Sequence, residues 1–250
     1  MTPVVALLHG FTGSPSSWDE VVARMPGDWT VLAPALVGHR GGPKCDPSHG
    51  FAAEVDRLAD WIARKSPGPA HLVGYSLGAR LALGMLVRHP KRFARATLIG
   101  LNPGLSDETQ RKARVLVDEH WCELLETHGI DAFARAWQDQ PLFASQRSLS
   151  AEVLAAQHQI RLDQDPRGLS CALRQLGLGA MPCWRSRLSD IEVPVHLVSG
   201  AQDEKFSALA SDVAAQLARA TVERVPGVGH NPVLESPALV AETLQRGMCA

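Results

Sequence analysis

Short apolar runs alternate with longer amphipathic stretches along this chain. Runs at residues 4–8, 30–33, 71–73, 96–100, 195–199 and 221–225 have strand length and strand composition. Between them, residues 18–25, 51–65, 77–88, 206–219 and 238–247 carry helical periodicity, with Pro237 close to the start of the last. Strand and helix in alternation predict an α/β fold, a parallel sheet covered by helices on both faces.

One interval breaks the rhythm. Residues 102–189 contain no convincing strand but several helical stretches, at 108–127, 130–137, 152–160 and 168–176. Strands resume afterwards as though one sheet had been interrupted. The expected organisation is a single unit: a core of residues 1–101 and 190–250, with 102–189 as a helical lid over the carboxyl edge of the sheet, where open α/β sheets place their sites.

Composition narrows the partners. A net charge of −1 gives no electrostatic case for nucleic acid or an acidic membrane. No apolar stretch approaches the length of a membrane span. Pro3-Val4-Val5-Ala6-Leu7-Leu8 follows without a basic leader, unlike a signal peptide. The five cysteines, Cys45, Cys122, Cys171, Cys183 and Cys249, are scattered and form no C-x-x-C, so they read as reduced thiols of a cytoplasmic protein.

The chemistry centres on Gly74-Tyr75-Ser76-Leu77-Gly78, a G-x-S-x-G between a predicted strand and a predicted helix. That context is the nucleophile elbow, a tight turn that exposes the serine hydroxyl. A serine needs an imidazole to take its proton and a carboxylate to orient the imidazole. Asp203 follows the strand at 195–199 and His230 the strand at 221–225, which gives the order Ser76, Asp203, His230 on one sheet edge. Glu204 is the alternative carboxylate. Backbone N–H groups of Leu77, after the serine, and of Phe11, in Leu8-His9-Gly10-Phe11, are the expected oxyanion donors. His9 itself reads as a structural hydrogen-bonding residue.

Arg80 lies one helical turn after Ser76, in the apolar run Leu77-Gly78-Ala79-Arg80-Leu81-Ala82-Leu83. A cation there opposes the helix dipole and calls for an anionic partner, either an internal carboxylate or one on the substrate. Tyr75, the single tyrosine, adjoins the nucleophile. The insertion carries Arg111, Arg114, Arg135, Arg147, Arg161, Arg167 and Arg174, and spacing does not choose among them. Trp137 reads as a packing anchor.

These residues together resemble a known family. Gly74-Tyr75-Ser76-Leu77-Gly78-Ala79-Arg80-Leu81-Ala82 is similar to the elbow of the 2-succinyl-6-hydroxy-2,4-cyclohexadiene-1-carboxylate synthases of menaquinone biosynthesis, α/β-hydrolase-fold proteins. So are Trp137 with Gln140-Pro141-Leu142-Phe143, Leu173-Arg174 with Gly177-Leu178-Gly179, Trp184 with Leu188, and Gly200-Ala201-Gln202-Asp203-Glu204-Lys205-Phe206. The resemblance spans nearly the whole chain. It implies a lyase on a hydrolase scaffold, with Ser76 as a base that removes a ring proton while pyruvate leaves, and with no cofactor or metal. It implies a small anionic substrate held by Arg80, Arg114 and Arg161, with Tyr75 and Trp137 in the pocket. The family's Asp-Leu-Pro-Gly-His-Gly stands here as Ala35-Leu36-Val37-Gly38-His39-Arg40, and its second histidine after His230 is replaced by Asn231-Pro232-Val233. With no leading hairpin before His9, about six strands are expected, all parallel. A serine hydrolase of an ester, enol-lactone or carbon–carbon bond, or a binding module that kept the fold, are the competing readings.

Overall fold

The computed structural model describes residues 2–249, with the side chains of Met248 and Cys249 outside the described part. Six strands, β1 (Val4–Leu8), β2 (Thr30–Leu32), β3 (Ala70–Tyr75), β4 (Phe93–Ile99), β5 (Val195–Gly200) and β6 (Ala220–Val225), form one sheet in the order β2-β1-β3-β4-β5-β6. Every pairing is parallel. Order reverses between β1 and β3, so the crevice for a ligand opens at their carboxyl ends.

Both faces are covered because both faces are apolar. In β1, Val4, Ala6 and Leu8 join one core cluster, while Val5 and Leu7 join the other. This is the period-two alternation of a strand buried on two sides. Helices α2 (Gly50–Ala63) and α3 (Leu77–Arg88) close the first face with Phe51, Val55, Leu58, Leu81 and Met85. The short α1 (Asp19–Val22) closes the second through Val21.

Between β4 and β5 runs the helical segment: α4 (Glu108–Gln138), α5 (Ala151–Leu162) and α6 (Pro166–Leu176). Helix α4 is kinked at Gly129 (φ 76°), a left-handed position that glycine tolerates and most side chains do not. A separate small core, Leu125, Phe133, Trp137, Phe143 and Leu169, packs onto Phe11 of the sheet edge. Arg174 on α6 ties the segment internally by pairing with Glu119 and Glu126 of α4. After β5 come α7 (Glu204–Ala214), the short α8 (Pro232–Glu235) and α9 (Pro237–Cys249), the last lying on the second face through Val240 and Leu244. Among the described residues, no helix is long and apolar enough to cross a membrane.

The cysteines correct the expectation of reduced thiols. Cys45 and Cys171 form a disulfide across 126 residues, with Cα atoms 5.9 Å apart. Spacing in the sequence carries no information about such a pair. The loop after β2 is brought to α6 by folding: a Cβ on Gly38 would sit 2.4 Å from the Gly168 carbonyl oxygen, and Arg40 N–H donates to Gln164 Oε1 at 2.8 Å. Closing a loop this long restricts the unfolded chain by about 4–5 kcal/mol in the chain-entropy picture. Cys122 and Cys183 are free thiols, as expected.

Candidate active site

The elbow is built by close backbone approach. Ser76 takes φ 52° and ψ −106°, a conformation that costs a non-glycine residue about 1–3 kcal/mol and persists only where its surroundings impose it. They do so here. A Cβ on Gly74 would stand 2.4 Å from the Gly78 carbonyl oxygen, and one on Gly78 would stand 2.1 Å from that of Leu8. Both glycines are therefore obligatory, and the turn lifts Ser76 Oγ above the sheet edge.

Ser76, His230 and Asp203 stand in hydrogen-bond contact. Ser76 O–H donates to His230 Nε2 at 3.2 Å, and His230 Nδ1–H donates to Asp203 Oδ2 at 2.7 Å. Asp203 caps α7, its Oδ1 accepting from Phe206 N–H at 3.1 Å, which turns Oδ2 towards the imidazole. Asp203 and not Glu204 is the partner; Glu204 is exposed. Glu235 grips the loop on both sides of His230: Oε2 accepts from Gly229 N–H at 2.7 Å and Oε1 from Asn231 N–H at 3.1 Å. The sequence reading did not include this clamp.

Leu77 opens α3, so its N–H lacks an intrahelical acceptor. Among the described residues the Phe11 N–H also lacks a backbone acceptor. Both residues line the pocket with Ser76. The Phe11 loop is held by His9, whose Nδ1–H donates to the Gly10 carbonyl (2.9 Å) while Nε2 accepts from Leu36 N–H (3.2 Å). Only the neutral ring can do both. Burial, reinforced by neighbouring His39, pulls His9 down to about 3, and burial pulls His39 down to about 4. The unfolded chain protonates both near 6.5, so their contribution is complete above that pH and is lost as pH falls towards 4. Urea midpoints at about pH 7 and about pH 5 check this; a loss on the order of 2 kcal/mol per histidine is expected at the lower pH, and equal midpoints would contradict it.

Tyr75, Arg80, Arg114 and Trp137 share one pocket with Ser76 and His230, a space of about 130 Å³. Burial raises the Tyr75 phenol, which keeps its proton and remains a donor. Gly10 makes room for that ring, since a Cβ there would lie 2.8 Å from it. Arg80 settles the question of its partner unexpectedly. Nη1 donates to the Leu176 carbonyl at 2.8 Å and approaches Met181 Sδ at 3.6 Å, and among the described residues it forms no ion pair. Burial and the like charge of Arg114 pull it down to about 9, which leaves it cationic at neutral pH. The nearby carboxylate, Asp118, is engaged by Arg114 Nε at 2.8 Å.

Arg161 does not join this pocket. It is 3% exposed and borders an adjoining cleft with His9, Gln157 and Leu234, which shares Phe11, Tyr75 and Phe143 with the pocket of Ser76. Its guanidinium lies 5.7 Å from the Phe143 ring, and among the described residues its buried Nε has no partner. Of the other insertion arginines, Arg135 and Arg174 are paired with carboxylates. A larger open groove of about 850 Å³ lies away from Ser76, and its Arg40 and Arg57 are paired with Asp163 and Glu54. Sequence reading missed Asn102, Leu173, Leu176 and Phe206 as pocket walls. The strand-end rule reaches Asn102, just after β4; the others come from packing alone.

Comparisons with known proteins bear on the fold and the family. Residues 5–243 match the model of the alpha/beta hydrolase family. A 2-succinyl-6-hydroxy-2,4-cyclohexadiene-1-carboxylate synthase of Enterobacter sp. (strain 638) is 33% identical over 97% of this chain and 90% of its own length. The protein of the same name from Salmonella newport (strain SL254) is 32% identical over 97% and 92%. Among solved structures, MenH from S. aureus superposes with a TM-score of 0.93 at 27% identity, covering 98% of this chain and 93% of that one. A thermophilic esterase from Thermogutta terrifontis shares the fold at TM-score 0.86 and 20% identity, over 98% of this chain and 89% of that one. The chain belongs to the alpha/beta hydrolase family and, within it, resembles the 2-succinyl-6-hydroxy-2,4-cyclohexadiene-1-carboxylate synthases over nearly its whole length.

Proposed function

We propose that this protein is a carbon–oxygen lyase that eliminates pyruvate from a polycarboxylate cyclohexene precursor of menaquinone, with residues 102–189 as the lid of its site. The observation that carries this reading is Arg80, a cation in the pocket of Ser76 that forms no ion pair among the described residues. A hydrolase of neutral esters has no use for it, whereas an anionic substrate offsets the cost of its burial.

In this mechanism His230 takes the Ser76 proton as Ser76 Oγ takes one from a ring carbon of the substrate. Asp203 holds the imidazole in the acceptor tautomer and stabilises its charged form. The electron pair of the broken C–H bond forms the new ring double bond, and the C–O bond to the enolpyruvyl group breaks. Pyruvate leaves as its enolate and is protonated to the keto acid. Negative charge that develops on the substrate faces the N–H groups of Phe11 and Leu77. Arg80 and Arg114 hold carboxylates, and Tyr75 and Trp137 shape the wall.

The Ser76–His230 hydrogen bond also suits an acyl nucleophile, so a serine hydrolase of a small carboxylate-bearing substrate is the second reading. Incubating pure precursor with the protein and following pyruvate by a coupled NADH assay separates the two. Pyruvate release in step with precursor loss is expected. No pyruvate, with turnover of short activated esters, would replace the lyase by the hydrolase.

A further inference from the structure

We infer that Asn102 is a substrate-binding residue that selects for acceptor oxygens, donating from Nδ2 to a carboxylate of the ligand. The inference rests on the reading that this pocket takes an anionic substrate. It adds to the arginines a neutral donor supplied by the sheet itself.

The loop after β4 is fixed at each step. Gly100 takes φ 62° beneath the catalytic imidazole, where a Cβ would lie 3.0 Å from His230 Cε1. Two residues on, Asn102 is 7% exposed and borders the pocket that holds Ser76, Arg80 and Arg114. Its Oδ1 accepts from Gly104 N–H at 2.9 Å. Next to it, the Pro103 carbonyl accepts from Trp184 N–H at 2.8 Å, which anchors the loop.

That turn decides which way the amide faces. A backbone N–H requires an acceptor, so the oxygen of Asn102 points to Gly104 and the NH₂ points away from it. Among the described residues no acceptor meets Nδ2. Nδ2 is not among the fully buried unpartnered atoms, so it keeps accessible surface where water or a ligand can accept from it. The space this residue borders is the pocket, and a primary amide nitrogen there donates and cannot accept.

Asn102→Asp is the discriminating variant. It keeps the Oδ1 acceptor for Gly104 and replaces the pocket-facing NH₂ by a carboxylate oxygen, so a turn-forming role survives while a ligand-binding role is reversed. Succinate serves as the probe, titrated against the protein by the fluorescence of its tryptophans, Trp137 lining the pocket. The expected result is at least about a tenfold weaker succinate affinity in Asn102→Asp, from lost donation and like-charge repulsion, at unchanged melting temperature. Asn102→Ser, uncharged and with a hydroxyl able to serve the same turn, is expected to lose about fivefold and covers the case in which the aspartate variant does not fold. Succinate affinity within twofold of wild type in the folded variants, or no succinate binding by wild type, would overturn the inference. Failure of pyruvate release with this discrimination intact would instead sink the lyase reading and leave Asn102 as the selector.

Discussion

Ser76→Ala is expected to lower pyruvate release at least about a thousandfold, with KM within a fewfold of wild type. The substitution removes the oxygen that meets His230 Nε2 and leaves the arginines, the aromatic walls and the N–H groups of Phe11 and Leu77 in place. Binding therefore persists while proton transfer does not. His230 cannot take over, because its Nε2 is positioned over the serine and its Nδ1 is committed to Asp203. Stability should not fall, since alanine fills the same space in the same backbone conformation. Glycine at this position should stabilise the fold by about 1 kcal/mol, because it relieves the positive φ. Steady-state kinetics with the pure precursor provide the check. A variant that retains more than about a tenth of wild-type turnover would remove Ser76 as the base.

Arg80→Met carries the second largest effect and has two signs. The substrate loses a charge-assisted partner in the pocket, so kcat/KM should fall about a hundredfold, mostly through KM. Stability should stay level or rise. The guanidinium is partly buried and among the described residues forms no ion pair, so an apolar chain of similar length packing beside Leu176 and Met181 removes a desolvated charge at little loss. Kinetics and a melting curve on the same preparation test both halves. A destabilised variant with unchanged KM would make Arg80 a structural residue whose carbonyl bond to Leu176 is its purpose.

The two arginine positions show what a linear reading can reach. Arg80 was legible because a cation four residues after the elbow, in an apolar helix, contradicts its surroundings. Its protein acceptor, a carbonyl on α6, was not, since nothing local links residues 80 and 176. Arg161 came only from the family resemblance. Folding puts it in an adjoining cleft that shares Phe11, Tyr75 and Phe143 with the pocket of Arg80 and Arg114.

By itself the sequence determined the elements whose signals are local. These were the strand–helix alternation, the elbow between Val73 and Leu77, and the order Ser76, Asp203, His230 after β3, β5 and β6, because apolar period, turn glycines and strand termini are all written within a few residues. Tertiary structure alone decided what joins residues far apart in the chain. It joined Cys45 to Cys171, closed the Glu235 carboxylate around the histidine loop, left Arg80 without an ion pair among the described residues, and fixed the Asn102 amide oxygen on Gly104 N–H. The reason is geometric. Periodicity tells which face of an element is buried, but which side chain meets it there is set by how the packed elements cross.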